Sequence, residues 1–460
     1  MTIQGNSQHK LSTGSHAHAG RKSLIAEFSA ARYAHLQTAG PDEASEVQTR
    51  LLKEHLAYTA SKSPFYSKRF RESGLSPDTV TSPEDIRNFP FTEKEDLTSG
   101  NELQAAPAEK ITDICLTSAT TGAHPTVVPQ TASDLARLAF NEELAFRMAG
   151  IDESDTVLIC AAVDKCFMAG LAYFLGLQRI GANAVRAGSS DAAHIWELSR
   201  LTGAGAIVGV PSLMHRIGAY ALEKGENPAD SGVEKLIAIG EPTRDANLDL
   251  LPVSEALESM WRAKIYSTYA STELATTFCE CRERRGGHLR PELNIIEIVN
   301  EAGLPVPDGT PGEVVTTPLG VTGMPLVRFK TNDISCIIRE PCGCGRTTGR
   351  LAPVMGRKNQ MLKYKGTTVF PNSIINALEG DKRFHTGYVQ ARRNPDGTDR
   401  LILYASLSDP SAGTGWIAET LRARVRVVPE IKIIPCHEAD NRVYRFDKKR
   451  KRIIFFDQRD

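Results

Sequence analysis

Between residues 157 and 239 short apolar runs alternate with amphipathic stretches, and this alternation limits the chain to very few folds. Val157-Leu-Ile-Cys-Ala-Ala-Val163 is continuous apolar sequence, the kind a parallel strand needs when both its faces are covered. Cys166 to Leu177 then has helical spacing, and Ala182 to Arg186 is the next extended run. The pattern repeats with Ala192 to Thr202, Ala206-Ile-Val-Gly-Val210, Met214 to Lys224 and Leu236-Ile-Ala-Ile239. Alternation of this kind predicts an α/β, doubly wound sheet with ligands at the carboxyl ends of its strands.

The flanking segments differ. Residues 1–23 are polar and rich in His, Ser and Gly, and are expected to be a flexible extension. Helices are expected from Leu24 to Arg71, broken near Gly40-Pro41, and again from Ser133 to Met148 with Ser133 as N-cap. After Glu273 the sequence turns to strands with Gly/Pro turns, at Asn294 to Val299, Gly312 to Thr317 and Val327 to Ile338. We therefore expect a large domain over 24–355, including a β subdomain from about 274, and a small α+β domain over 356–460. The 55 basic and 55 acidic residues cancel, so neither nucleic acid nor an anionic membrane is the expected main partner. No apolar stretch approaches the ~20 residues of a spanning helix. Nine cysteines are few for a disulfide scaffold of 460 residues, and a reducing cytoplasm is the simpler expectation.

Candidate chemistry begins at Cys115-Leu-Thr-Ser-Ala-Thr-Thr-Gly-Ala-His-Pro-Thr126. Thr117, Ser118, Thr120 and Thr121, together with the backbone around Gly122, could offer several donors to one triphosphate. The stretch is not a Walker loop, because no Gly-Lys-Ser/Thr follows, and on its own a Ser/Thr-rich turn is more often a plain connection. It has ordered companions. Ile265-Tyr-Ser-Thr-Tyr-Ala-Ser-Thr-Glu273 ends on a carboxylate. Leu326-Val-Arg-Phe-Lys-Thr-Asn-Asp333 ends on another. Gly356-Arg357, Met361-Leu-Lys-Tyr-Lys-Gly-Thr-Thr-Val-Phe-Pro371 and Arg450-Lys-Arg-Ile-Ile-Phe-Phe-Asp-Gln-Arg459 follow. Separately, Cys281-x6-His288 and Cys342-x-Cys344 bring four sulfur and nitrogen ligands into turn-rich sequence. That composition suits structural Zn²⁺, with Cys279 as an alternative to Cys281 and unliganded cysteines as the plainer reading.

The ordered motifs resemble the adenylate-forming superfamily of acyl-CoA synthetases, nonribosomal adenylation domains and luciferases. They are most similar to its phenylacetate–CoA ligase-like branch. Phe91-Thr-Glu-Lys-Glu-Asp-Leu97, Gly209-Val-Pro-Ser212 and Gly240-Glu-Pro-Thr-Arg244 add to the match. The resemblance implies a ligase that joins ATP to a carboxylic acid and transfers the acyl group to coenzyme A. A carrier protein or an amine is the alternative acceptor, and a non-catalytic nucleotide-binding scaffold is an alternative of another class. It implies that the small C-terminal domain swivels at a hinge and that the protein forms a homodimer. It assigns Thr117, Ser118, Thr120, Thr121 and Gly122 to phosphates, Thr272 to the α-phosphate and Glu273 to Mg²⁺. Gly240, Glu241, Pro242 and Tyr269 would line the adenosine, Asp333 and Arg357 would serve the ribose, and Lys451 would be the catalytic lysine. Lys448 and Lys449 are its rivals, and Lys365-Gly366 would face the site during thioester formation. Phe167, Met168, Ala169, Gly170, Pro211 and Tyr266 would form a pocket suited to an aromatic acid. Four positions depart from the family pattern: Ala119, Ala123-His124, Ala270 and Asn359-Gln360.

Overall fold

The computed structural model describes residues 27–117, 125–189, 191–364, 367–394, 399–444 and 452–459. The expected flexible extension, 1–23, lies outside them. At the centre is a six-stranded sheet in the order Asn183–Arg186, Thr156–Cys160, Ala206–Gly209, Lys235–Ala238, Lys264–Tyr269, Phe278–Cys279. The first five strands are parallel and the last is antiparallel. The continuous apolar runs follow from this arrangement. Val157, Ile159, Ala206, Val208 and Ile237 pack to one face with Phe146, Tyr173 and Leu177. Leu158, Cys160, Ile207, Leu236 and Ala238 pack to the other with Trp196, Met214 and Trp261. Both faces are covered, so no polar alternation is left to read.

Several boundaries differ from the expectation, each for a local reason. The helix expected from Ser133 is Ala132–Met148, and its N-cap is Thr131. Thr131 and Asp134 form a reciprocal capping box, which satisfies two orphan amide groups at once. The helix expected from Cys166 begins at Met168, because Lys165 and Cys166 adopt left-handed backbone, φ 60 and 55°. It runs on to Ile180 and stops at Gly181, φ 89°. The two helices pack closely at Gly176, where a Cβ would meet the Cβ of Glu142 at 2.4 Å.

Strands Asn294–Val299, Gly312–Pro318, Phe329–Ser335 and Gly356–Arg357 form an antiparallel sheet. The single strand expected from Val327 to Ile338 is two, Phe329–Ser335 and Ile337–Ile338, and the second joins a different sheet. Beyond it, Phe384–Arg393 is flanked by Asp399–Leu407 and by Phe455–Gln458 in a four-stranded mixed sheet. Its apolar cluster, with Leu362, Ile374, Leu403, Trp416 and Leu421, is separate from the central one. No helix among the described residues is long and apolar enough to cross a membrane.

Candidate active site

Three expected site residues meet at the carboxyl end of the parallel sheet. Tyr269 is the last residue of strand Lys264–Tyr269, and its hydroxyl donates to Asp333 Oδ2 at 2.8 Å. Asp333 and Arg357 face each other in antiparallel register, which puts Arg357 Nε 3.4 Å from Asp333 Oδ1. Asp333 is thus oriented through both oxygens. Burial, followed by the Asp333 charge, holds the Tyr269 phenol well above its usual range, so it stays a donor at neutral pH. Glu273 is near enough to add to that effect. Thr272 and Glu273 are half-buried on the turn that leaves this strand.

The neighbouring turn, Gly240 to Pro242, is held by its own contacts. Gly240 has φ +69°, and the Glu241 amide closes a tight turn onto Ile239 O at 2.8 Å. Glu241, expected to line the adenosine site, accepts from the Ser212 amide at 2.9 Å and hydroxyl at 2.7 Å. Its carboxylate caps helix Pro211–Glu223, where anions are favoured. Pro242 is half-buried beside it. Arg244 pairs with Glu280 at 2.8 Å, and Glu280 accepts the Ser267 amide, tying this turn to the Tyr269 strand. Neither Arg244 nor Glu280 could be picked out as a positioning pair from the sequence, because nothing local joins positions 36 residues apart.

Strands Ile111–Leu116 and Val127–Thr131 form the antiparallel stem below the expected phosphate loop. Thr117 is buried at the top of this stem. Its amide donates to Thr126 O at 3.0 Å and its hydroxyl accepts from the Thr126 amide at 3.1 Å. Ser118, Thr120, Thr121 and Gly122 lie outside the described residues, as do Lys365-Gly366, Lys448, Lys449 and Lys451. Arg452, next to Lys451, pairs with Glu379 and lies in the field of Glu241.

The six expected acyl-pocket residues differ in their surroundings. Phe167 is exposed, and Met168 joins an apolar cluster with Cys115 and Leu138. Gly170 is a packing residue: a Cβ there would meet Ala162 O at 2.1 Å. Pro211 is buried at the first position of its helix. Ala169 and Tyr266 do pack against the same cluster, which contains Ile159, Val208, Ile239 and Cys279.

The cysteine and histidine candidates converge. The ligand atoms of Cys281, His288, Cys342 and Cys344 all lie within 4.8 Å of one another. Cys281 Sγ is 3.6 Å from Cys342 Sγ, and Cys344 Sγ is 3.4 Å from His288 Nε2. A zinc tetrahedron with ordinary bond lengths has S–S and S–N edges of about 3.8 and 3.5 Å. The other ring nitrogen, Nδ1, lies 3.0 Å from Thr348 Oγ1, which fixes the ring. Burial, helped by Arg346, pushes His288 down to about 3, so the imidazole is neutral and free to ligate. Gly345, φ +87°, and its amide bond to Cys342 O at 3.1 Å make the tight turn that presents both sulfurs. Cys279 lies outside the cluster, with its thiol turned to Glu280 O at 3.4 Å.

The model for AMP-binding enzymes matches residues 18–323. The chain belongs to the AMP-binding enzyme family. Within that family it falls in the phenylacetate–CoA ligase-like branch. This enzyme is 27% identical over 382 residues to a phenylacetate–coenzyme A ligase of Thermus thermophilus, covering 82% of this chain and 84% of the relative. It is 29% identical over 349 residues to a phenylacetate–coenzyme A ligase of Pseudomonas putida, covering 74% and 76%. Its fold matches a 2-hydroxyisobutyryl-CoA ligase in the postadenylation state with TM-score 0.81, at 21% identity over 92% of each chain.

Proposed function

We propose that this enzyme is an ATP-dependent, AMP-forming acid–CoA ligase. The acid carboxylate attacks the α-phosphorus of ATP and pyrophosphate leaves. The CoA sulfur then attacks the acyl-adenylate carbonyl, with loss of its thiol proton, and AMP leaves. The observation that carries this reading is the Tyr269–Asp333–Arg357 contact at the carboxyl edge of the sheet, with Thr272 and Glu273 on the adjoining turn. In this reading Asp333 accepts from the ribose hydroxyls, while Tyr269 and Arg357 hold its carboxylate still. Arg357 also steadies the charge of the neighbouring phosphate. Thr272 donates to the α-phosphate. Glu273 would hold Mg²⁺, which when bound offsets charge on the phosphate oxygens. The Thr117–Gly122 loop takes the β- and γ-phosphates. Gly240 to Pro242 meet the base through backbone, because the Glu241 carboxylate is committed to Ser212. Lys451 serves charge development during adenylation. Ala169 and Tyr266 offer an apolar, partly aromatic wall to the acid, and we assign an aromatic acid as substrate.

The Cys281, His288, Cys342 and Cys344 set fits Zn²⁺ by edge length, donor type and the Thr348 contact. Zinc there would be structural, since four protein ligands leave no open position.

The reading is tested by acid-dependent exchange of labelled pyrophosphate into ATP across benzoic, phenylacetic and cinnamic acids, followed by thioester formation with CoA. Exchange should appear with at least one acid, and Glu273→Gln should cut it sharply without lowering the melting temperature. Exchange without CoA thioester would move the acceptor to a carrier protein or an amine. Folded protein that exchanges with no acid would leave a nucleotide-binding scaffold.

A further inference from the structure

Ala275, two residues beyond Glu273, has φ +45°, left-handed backbone that a residue with a Cβ rarely adopts. Such strain persists only where surrounding contacts over-determine it. Those contacts are present. Arg137, on helix Ala132–Met148, is 1% exposed, and its Nη1 donates to Ala275 O. Its Nη2 donates to Thr276 Oγ1 at 3.1 Å and Leu293 O at 2.6 Å, and its Nε to Leu319 O at 2.7 Å. Asn294 Nδ2 adds bonds to Leu274 O and Thr276 Oγ1, both at 3.1 Å. The near side of the turn closes on itself, with Ala275 N to Ser271 O at 3.2 Å and Leu274 N to Ser271 Oγ at 3.2 Å.

We infer that Arg137 is a positioning residue for this turn: by fixing the carbonyl of left-handed Ala275 it sets where Thr272 and Glu273 point. The inference rests on the assignment of Glu273 to Mg²⁺ made above. A guanidinium suits the task, because its rigid fork reaches four separate acceptors and stays charged when buried. A lysine at 137 would keep the charge but lose the fork. The turn would then relax toward negative φ at Ala275 and carry Glu273 with it.

The test is a Mg²⁺ titration of pyrophosphate exchange, with hydrogen exchange of the amides in 271–277 measured on the same proteins. Arg137→Lys should raise the Mg²⁺ needed for half-maximal exchange by roughly tenfold or more, with the acid KM within about twofold. Its 271–277 amides should lose protection. Adding Ala275→Gly, which removes the cost of positive φ, should recover most of both effects, and Ala275→Gly alone should resemble the parent. Should Arg137→Lys fail to fold, Ala275→Val gives the same reading with Arg137 intact, since a β-branched residue resists positive φ. Parent-like Mg²⁺ response and protection in Arg137→Lys or Ala275→Val overturn the inference, and so does no recovery in the double variant. A parent that exchanges with no acid overturns the functional reading instead, and amide protection then decides the positioning role by itself.

Discussion

Buried ionisable groups are where single residues set the pH behaviour of this protein. Glu142 is buried under helix Met168–Ile180, and its Oε1 accepts from Thr277 Oγ1 at 2.5 Å and Asn141 Nδ2 at 3.0 Å. Burial raises its carboxyl from 4.5 to about 7, against the opposing pull of these bonds and of Arg290. Between those values the native state binds more protons than the unfolded chain, so stability falls as pH rises through the window. The loss amounts to at most about 3 kcal/mol. Glu142→Gln keeps the shape and both contacts while removing the titration. Urea unfolding at pH 5 and pH 8 should therefore show a smaller decline in Glu142→Gln than in the parent. Equal declines would assign the pH dependence elsewhere. Glu142 could not be singled out from the sequence. It sits in an ordinary amphipathic stretch, and its burial comes from the close helix crossing at Gly176.

At the scale of elements, the four-ligand cluster joins short pieces of chain that share one small apolar cluster, which includes Phe278, Ile337 and Leu351. Strands Gly287–His288, Arg350–Leu351 and Ile337–Ile338 form a sheet of two-residue strands. Such short pairings are marginal in water without a further staple. Purified, untagged protein should carry about one zinc per chain by elemental analysis, as four ligands at one centre require. Cys342→Ser with Cys344→Ser should abolish the zinc and lower the melting temperature by several degrees. That follows from a loss of a few kcal/mol, if the metal holds these strands. Unchanged zinc in the double variant would remove the assignment. The ligand residues were legible because Cys-x-Cys and Cys-x6-His are unusual spacings. Cys281, preferred to Cys279 in the sequence, is the one in the cluster, whereas the Cys279 thiol is turned to Glu280 O.

Across the whole molecule, the C-terminal region contacts the large body at several places among the described residues, including Lys358 to Glu313 at 2.7 Å. Arg452 pairs with Glu379 within reach of Glu241, and Gly380, φ +101°, leaves no room for a Cβ against Pro252, 2.4 Å away. Lys451 lies outside the described residues, so its role is a proposal from the Arg450–Arg459 tail. Lys451→Ala should lose adenylation by about 10²–10³ in rate, the usual worth of one charge-stabilising group. It should still convert a chemically prepared acyl-adenylate to thioester. Lys448→Ala and Lys449→Ala, with the same charge change, should be milder. A parent-like Lys451→Ala beside an inactive neighbour would shift the tail alignment, and three silent variants would exclude a C-terminal lysine mechanism.

What the sequence by itself determined is whatever repeats or stands in order along the chain. Apolar runs at strand length announced a sheet covered on both faces, because a buried parallel strand can carry no polar alternation. Ordered motifs marked Tyr269, Glu273, Asp333 and Arg357, and the structure brings Tyr269, Asp333 and Arg357 into direct contact. Tertiary structure alone decided which polar groups are buried against distant partners. Arg137 holds Ala275 from 138 positions away, and Glu241 serves Ser212 as a cap. It also decided that Met168 packs in one core, Ala169 against another, and that Phe167 is exposed. The reason is physical. Periodicity records which face of one element is apolar, whereas hydrogen bonds and pocket walls depend on how separate elements cross, and no single stretch of sequence carries that information.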